Sequence, residues 1–385
     1  MNLLRMFSPE IVLLLTIAVA FVVTYVSVPS IVGVVCEKKL FDEPSRRKSH
    51  NRQVPTLGGV AIFAGITISA GSFIDFSHDA SLSFIPSLQY ILVAAIIIFF
   101  LGLKDDMLGI APMKKLIGQI IAGLILIILG NLRFTSLHGF LGISHISFAP
   151  SLLLTLFVII VIINSFNLID GIDGLASSLG MLTTVFFGIW FYISGNEVYS
   201  LLSAATFGAL SGFFRYNIFS KKNKIFMGDT GSLILGLMMV VQVILFNEKN
   251  IGFTSAFPIK SAPAVSFAVL IIPLFDTLRV FLVRMSRGRS PFAADNNHLH
   301  HCLLKLGFTH GQSTLILVFA NICFIIMALL LQKIGIMWLM AVILCVATIL
   351  SFSLEFLVKK KGPSNTHRTE KQISKTIKTK KIKKK

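Results

Sequence analysis

Apolar residues run unbroken along this chain in stretches of about 17–25, the length that crosses a bilayer as a helix, and polar residues gather in short islands between them. Eleven stretches can be drawn, near residues 10–35, 57–74, 88–103, 116–130, 152–166, 175–194, 199–214, 231–247, 264–284, 312–332 and 335–358. The runs are continuous and do not alternate, which excludes a β-barrel. Helices satisfy their own backbone polar groups in lipid. The pattern therefore predicts an all-α, polytopic integral membrane protein with about eleven transmembrane helices, a membrane domain over residues 1–358 and a basic tail over 359–385. Ala18-Val19-Ala20 mimics a signal-peptide cleavage site, but the run from Ile11 to Val35 continues past it and reads as a retained first span. No internal repeat is evident, which weakens a reading as an inverted-repeat transporter.

Composition agrees: 55% of the 385 residues are hydrophobic, 14% are charged, and mean hydropathy is +0.83. Charge then orients the spans. Loops after the odd-numbered spans, with the tail, hold 29 of the 35 Lys and Arg; the opposite side holds Arg5, Arg133, Lys249, Lys260 and Lys333, and Arg279 falls inside span nine. The positive-inside rule places the N-terminus outside and the C-terminus in the cytoplasm. The tail carries twelve of the basic residues and little that is apolar, so it reads as a disordered segment near anionic headgroups. The net charge of +18 comes largely from it and is no argument for nucleic acid. Cys36, Cys302, Cys323 and Cys345 form no CxxC pair and sit in or beside apolar runs, as small hydrophobes do.

The polar islands rich in chemistry all fall on the side predicted to be cytoplasmic. They are "FDEPSRRKSHNRQVPTLGG" (41–59), "GLKDDMLGIAPMKK" (102–115), "NSFNLIDGIDGLA" (164–176), "FMGDTGS" (226–232) and "DNNHLHH" (295–301). One-sided placement argues for a single site built from several loops. Asn164, Asn167, Asp170 and Asp173 are spaced by three, which keeps neighbours on one drifting helix face. Gly171 and Gly174 end or restart that helix and let backbone approach a ligand. An unpaired Asp at bilayer depth costs roughly 2.5–3.5 kcal/mol, so the cluster calls for a compensating cation or substrate. Asp105 and Asp106 add adjacent carboxylates at a span end, and Asp229 sits at a helix start. Carboxylate and amide oxygens suit Mg²⁺, with Mn²⁺ as a substitute. His298, His300 and His301, downstream of Arg284, Arg287 and Arg289, suit a phosphate or pyrophosphate better than zinc. Taken alone, "GDTGS" is as readily a helix cap, and Asp276 with Arg279 reads as an intramembrane ion pair. GxxxxGK[ST], HExxH and GxSxG are absent.

In this order the pieces "DEPSRRKSHNRQVPTLGGVAIF", "LGLKDD", "NSFNLIDGIDGLA", "FMGDTGSLILG" and "PLFDTLRVFLVRMSRGRSPFAADNNHLHH" resemble the bacterial polyprenyl-phosphate N-acetylhexosamine-1-phosphate transferases, glycosyltransferase family 4. The resemblance covers most of residues 40–301. It implies that undecaprenyl phosphate attacks the β-phosphorus of a UDP-N-acetylhexosamine, giving a lipid-diphospho-sugar and UMP at the inner face of the bacterial cytoplasmic membrane. It also implies Asp229 as a Mg²⁺ ligand with Asn167 a second, and Asp105 and Asp106 holding or deprotonating the lipid phosphate. Asp170 and Asp173 would position nucleotide or organise the metal. Asn164, His298, His300, His301, Lys48, Lys115, Arg284 and Arg287 would bind substrate. Departing from the family's "DDxxD" form, Gly109 stands fifth in "DDMLG", leaving open whether this motif binds metal or acts on the acceptor. "HLHHC" is closer to the GlcNAc-1-phosphate branch than to the "HHHxE" of the peptidoglycan branch, so UDP-GlcNAc is the first expectation for the donor. Expected partners are the UDP-sugar, undecaprenyl phosphate, membrane lipid and, as one option, a second copy in a homodimer. Two other classes compete: a nucleotide-sugar or lipid-glycan transporter or flippase, and a CDP-alcohol phosphotransferase. "DGLASS" lacks the Ala and Arg that the latter needs, at Ser177 and Ser178.

Overall fold

The computed structural model describes residues 7–38, 54–74, 85–253, 257–286, 288 and 298–361. Among them lie thirteen α-helices and no strand, only an isolated bridge between Phe140 and Ile143. In order they are α1 (Pro9–Lys38), α2 (Gly58–Phe73), α3 (Ile85–Leu108), α4 (Pro112–Leu124), α5 (Phe148–Ile169), α6 (Leu175–Ile193), α7 (Glu197–Ile218), α8 (Gly228–Lys249), α9 (Ala262–Val269), α10 (Ile271–Ser286), α11 (Leu299–Lys305), α12 (His310–Leu331) and α13 (Ile336–Lys361). α4 runs on as a π-helical turn, Ile125–Leu129.

All eleven predicted stretches fall on helices. Seven helices are long and apolar enough to cross a membrane, or eight if the bent pair α9–α10 is one span; α2, at 16 residues, is shorter. The ninth stretch differs from expectation. It is two helices meeting at 81°, because Pro273 has no N–H to continue the ladder and its ring crowds the carbonyl of Val269. Leu270, at φ −106° and ψ 18°, takes up the turn.

α8 is the axis of the bundle: Thr230 to Asn247 are all buried. Lipid tails are as apolar as leucine, so close backbone packing rather than hydrophobic burial must hold helices to it. Glycines permit this. A Cβ on Gly59 of α2 would lie 2.1 Å from the Gly231 nitrogen, one on Gly102 of α3 2.5 Å from Thr230 Cα, and one on Gly236 2.6 Å from Ile163 Cα of α5. Three helices are thereby pressed against the first turns of α8.

Candidate active site

The N-terminus of α8 carries the site. Gly228 enters it at φ +71°, where a Cβ would meet Thr56 O at 1.9 Å and the Asp106 carboxylate at 2.7 Å. The first N–H groups of a helix lack intrahelical acceptors and carry the positive end of its dipole. Asp106, at the end of α3, supplies the acceptor. Its Oδ1 accepts from Asp229 N (2.7 Å), and its Oδ2 from Thr230 N (2.9 Å) and Thr230 Oγ1 (2.6 Å). Both oxygens of Asp106 are thus engaged in capping α8 from another helix.

That cap presents Asp229 to Lys115, in the first turn of α4. The Lys115 ammonium lies 2.5 Å from Asp229 Oδ1, 3.0 Å from Asp105 Oδ2 and 3.2 Å from Asn167 Oδ1. Asn167 Nδ2 donates to the same Asp229 oxygen (2.5 Å) and to Ser232 Oγ (2.8 Å). Asp105 Oδ1 accepts from Ile110 N at 2.8 Å. Four helices converge on one cationic centre. One turn deeper, Asn164 donates to Gln119 Oε1 at 2.7 Å and so ties α5 to α4 behind the centre.

Asp170 and Asp173 flank it and differ in charge environment. Asp170 ends α5 with no hydrogen-bond partner among the described residues. Burial pushes its carboxyl well above the ordinary range, and the carboxylates of Asp229, Asp106 and Asp173 add to this. Asp173 is opposed by burial too, but His310 and Lys224 outweigh it and hold its carboxyl below the usual value. Lys224 Nζ is 2.6 Å and His310 Nδ1 3.6 Å from its Oδ2, and Thr314 Oγ1 donates to its backbone carbonyl at 3.1 Å. Gly174, at φ +78°, donates from its nitrogen to Asn217 Oδ1 (2.7 Å), closing the loop onto α7.

The histidines reach the same loop. A Cβ on Gly171 would lie 2.4 Å from His300 Nε2, so only glycine lets His300 in. His300 is 1% exposed and both ring nitrogens are buried without a hydrogen-bond partner. Burial, then His301, push it down to about 3. The neutral ring is thus packed into the loop with neither nitrogen satisfied by a described residue. His298 stacks on it at 5.6 Å and 8°, and His301 lies 4.2 Å away. Arg284 is buried on α10. Lys48, Arg287 and Arg289 lie outside the described residues.

Among the described residues, no three His, Cys, Asp or Glu enclose an ion. The donor chemistry nevertheless fits Mg²⁺. Asp229, Asp105 and Asn167 offer hard oxygens to one cation, which is Lys115 here, and the Asp170 carboxylate beside them has no counter-charge among the described residues. Mg²⁺ needs few protein ligands because it keeps waters and takes substrate phosphate oxygens.

Residues 88–247 match the model of glycosyl transferase family 4. An undecaprenyl-phosphate α-N-acetylglucosaminyl 1-phosphate transferase of Escherichia coli O157:H7 is 30% identical over 323 residues, 81% of this chain and 82% of that one. The chain belongs to glycosyl transferase family 4. A decaprenyl-phosphate N-acetylglucosaminephosphotransferase of Mycobacterium tuberculosis is 32% identical over 293 residues, 71% of each chain. An Escherichia coli K12 relative bearing the first description is 30% identical over 301 residues, 77% of this chain and 76% of that one.

The part matched to family 4 contains Asp105, Asp106, Lys115, Asn164, Asn167, Asp170, Asp173 and Asp229, which the fold brings to one end of the bundle. Sequence reasoning missed Gln119, Lys224, Ser232, His310 and Thr314. Gln119 had a signal, a lone amide in an apolar helix. Lys224 was hidden among basic residues counted for topology, and α12 has no motif around His310 and Thr314.

Proposed function

We propose that this chain transfers an N-acetylhexosamine-1-phosphate, GlcNAc-1-phosphate first, from the UDP-sugar to undecaprenyl phosphate, releasing UMP and initiating lipid-linked glycan synthesis. The observation that carries the reading is the oxygen-lined cation centre of Asp229, Asn167, Asp105 and Lys115 at the capped start of α8, in a member of a family whose relatives bear that activity in their names. A lipid phosphate oxygen forms a bond to the β-phosphorus, and the bond from that phosphorus to the bridging oxygen breaks, so UMP leaves with the oxygen. Two anions must meet, and the barrier is largely electrostatic. Mg²⁺, held by Asp229 and Asn167, would neutralise the diphosphate as charge shifts to the leaving group.

The chain's own residues do the rest. Lys115, which faces Asp229 and Asp105, would meet phosphate oxygens if Asp229 held the metal. Asp106 keeps the α8 terminus in register. Asp105 steers Lys115. Asp170 is the carboxylate placed to take a proton from an incoming lipid phosphate. Asp173, fixed by Lys224, and His300, packed on Gly171, frame the nucleotide-sugar. This reading puts the site at the cytoplasmic face of the inner membrane, the N-terminus outside and the tail inside, with eleven spans counting α2, α3, α7 and the bent α9–α10. A transporter would need polar residues along a central path; here the carboxylates of Asp105, Asp106 and Asp229 gather at the start of α8.

The deciding experiment incubates purified protein with UDP-GlcNAc, undecaprenyl phosphate and Mg²⁺ and measures UMP. UMP formed only when both substrates and the metal are present is expected. No UMP with any UDP-N-acetylhexosamine would refute the assignment.

A further inference from the structure

Asp276 lies in α10, away from the cation centre, and its side chain is 1% exposed. A carboxylate so buried must be compensated. Its Oδ2 is 2.9 Å from His298 Nδ1, and its Oδ1 accepts from Leu299 N at 2.9 Å. Arg279, one turn on, lies 3.4 Å from Oδ1 and also bonds Glu355 of α13. α13 also holds the C-terminal end of α11, where Lys361 Nζ donates to Leu306 O. The last span, which carries no sequence motif, thus braces the carboxylate that holds the histidine loop. His298 transmits this to the site, because it stacks on His300, and His300 rests on Gly171 beside Asp170.

The chemistry of the contact makes His298 Nδ1 a donor. A carboxylate only accepts, so Nδ1 must be the N–H, and in the neutral ring Nε2 is left as an acceptor. We propose that Asp276 is a positioning residue that fixes His298 in the Nδ1–H tautomer, so that Nε2 is the acceptor this ring offers to a hydroxyl or N–H of the nucleotide-sugar. This rests on the transferase reading and adds to it a positioning residue, Asp276, behind the histidine loop. His300 and His301 lie beside His298 on the loop, Arg279 faces Asp276 from α10, and Glu355 faces Arg279 from α13.

Asp276→Asn tests this with little change in shape. Leu299 N–H still needs an acceptor and takes the amide oxygen, which turns the amide NH₂ toward His298 Nδ1. The ring must then place its proton on Nε2 and present a donor where the sugar presents one. KM for UDP-GlcNAc is expected to rise about 10-fold or more, the scale of an outer-shell partner lost or a polar pair mismatched. KM for undecaprenyl phosphate should stay unchanged. If Asp276 acts through His298, its effect vanishes in a His298→Ala background. A merely structural Asp276 would move both KM values and retain its effect in that background. ¹⁵N spectra of histidine-labelled protein, with His298 assigned by its loss in His298→Ala, should show Nδ1–H in the unmutated enzyme and Nε2–H in D276N.

An Nε2–H ring in the unmutated protein overturns the proposal, and this arm stands even if D276N fails to fold. UMP release with an unshifted KM for UDP-GlcNAc in D276N overturns the positioning role alone. No UMP from the unmutated enzyme would overturn the transferase reading and, with it, the sugar-facing role.

Discussion

At the scale of single residues, the site is a balance of charge around one ammonium. Asp229→Asn removes the carboxylate shared by Lys115 and Asn167 and the expected metal ligand. UMP release should fall at least about 100-fold, the scale of a lost electrostatic group in an active site. The check is a Mg²⁺ titration, and near-native rates at low Mg²⁺ would exclude the ligand role. Lys115→Met leaves Asp105 and Asp229 facing each other without a cation. Its thermal midpoint should drop in EDTA and recover on adding Mg²⁺, since a ligand bound only by the folded state stabilises it; the unmutated protein should respond less. Asp170 gives a pH dependence. Its carboxyl is raised in the fold from an ordinary value of 3.8. As pH climbs past that value, the unfolded chain releases this proton first, so folding stability falls until the folded carboxyl also ionises. In metal-free buffer, Asp170→Asn should therefore gain stability over the unmutated protein as pH rises from about 4 while losing activity. Equal midpoints across that range would remove the buried-carboxyl argument.

At the scale of elements, helices were legible and their encounters were not. Continuous apolar runs announce each helix, and Pro112 at the start of α4 and Gly228 before α8 mark boundaries. The 81° break of α9–α10 was within reach, because Pro273 sits inside the predicted run. Apolarity dominated the count there, so the stretch read as one span. Asp106 shows the deeper limit. Its neighbour Asp105 has the same residue type and context, yet one caps α8 from 123 positions away and the other pairs with Lys115. Nothing local separates them, since the partners come from tertiary packing. Glu355 and Arg279 likewise meet across 76 positions. Packing itself predicts a remote effect. Gly102→Ala places a methyl 2.5 Å from Thr230 Cα, against backbone that cannot swing aside. α3 must then back away from α8, and Asp106 with it. UMP release should fall about 10-fold or more, as small misplacements can cost up to about 100-fold, although no site side chain is altered. Native activity with an unchanged thermal midpoint would show the α3–α8 approach to be looser than described.

At the scale of the whole molecule, two cationic features look alike in the sequence and occupy different physical situations. The histidine loop is packed into the bundle: His300 is buried against Gly171, and His298 is held by Asp276. The tail expected from residue 359 begins later, because α13 runs on through Lys359 and Lys360 to Lys361, and that lysine donates to Leu306 O at the end of α11. Residues 362–385, which lie outside the described part, carry nine Lys and Arg and none of the motifs that build the site. Each such charge gains about 1 kcal/mol beside anionic lipid, a contribution to surface association rather than to turnover. Truncation after Lys361 should accordingly leave UMP release in detergent nearly intact. Truncation after Val358 should cost more, because it removes Lys361 and with it the brace on the end of α11. His300→Ala should lower kcat/KM for the UDP-sugar strongly in the same detergent, where lipid charge cannot mask the difference. Repeating the series in vesicles with and without anionic lipid separates the two roles, since only the tail deletion should respond to lipid charge. An inactive 362–385 deletion beside a fully active His300→Ala enzyme would move substrate binding from the packed loop to the C-terminus.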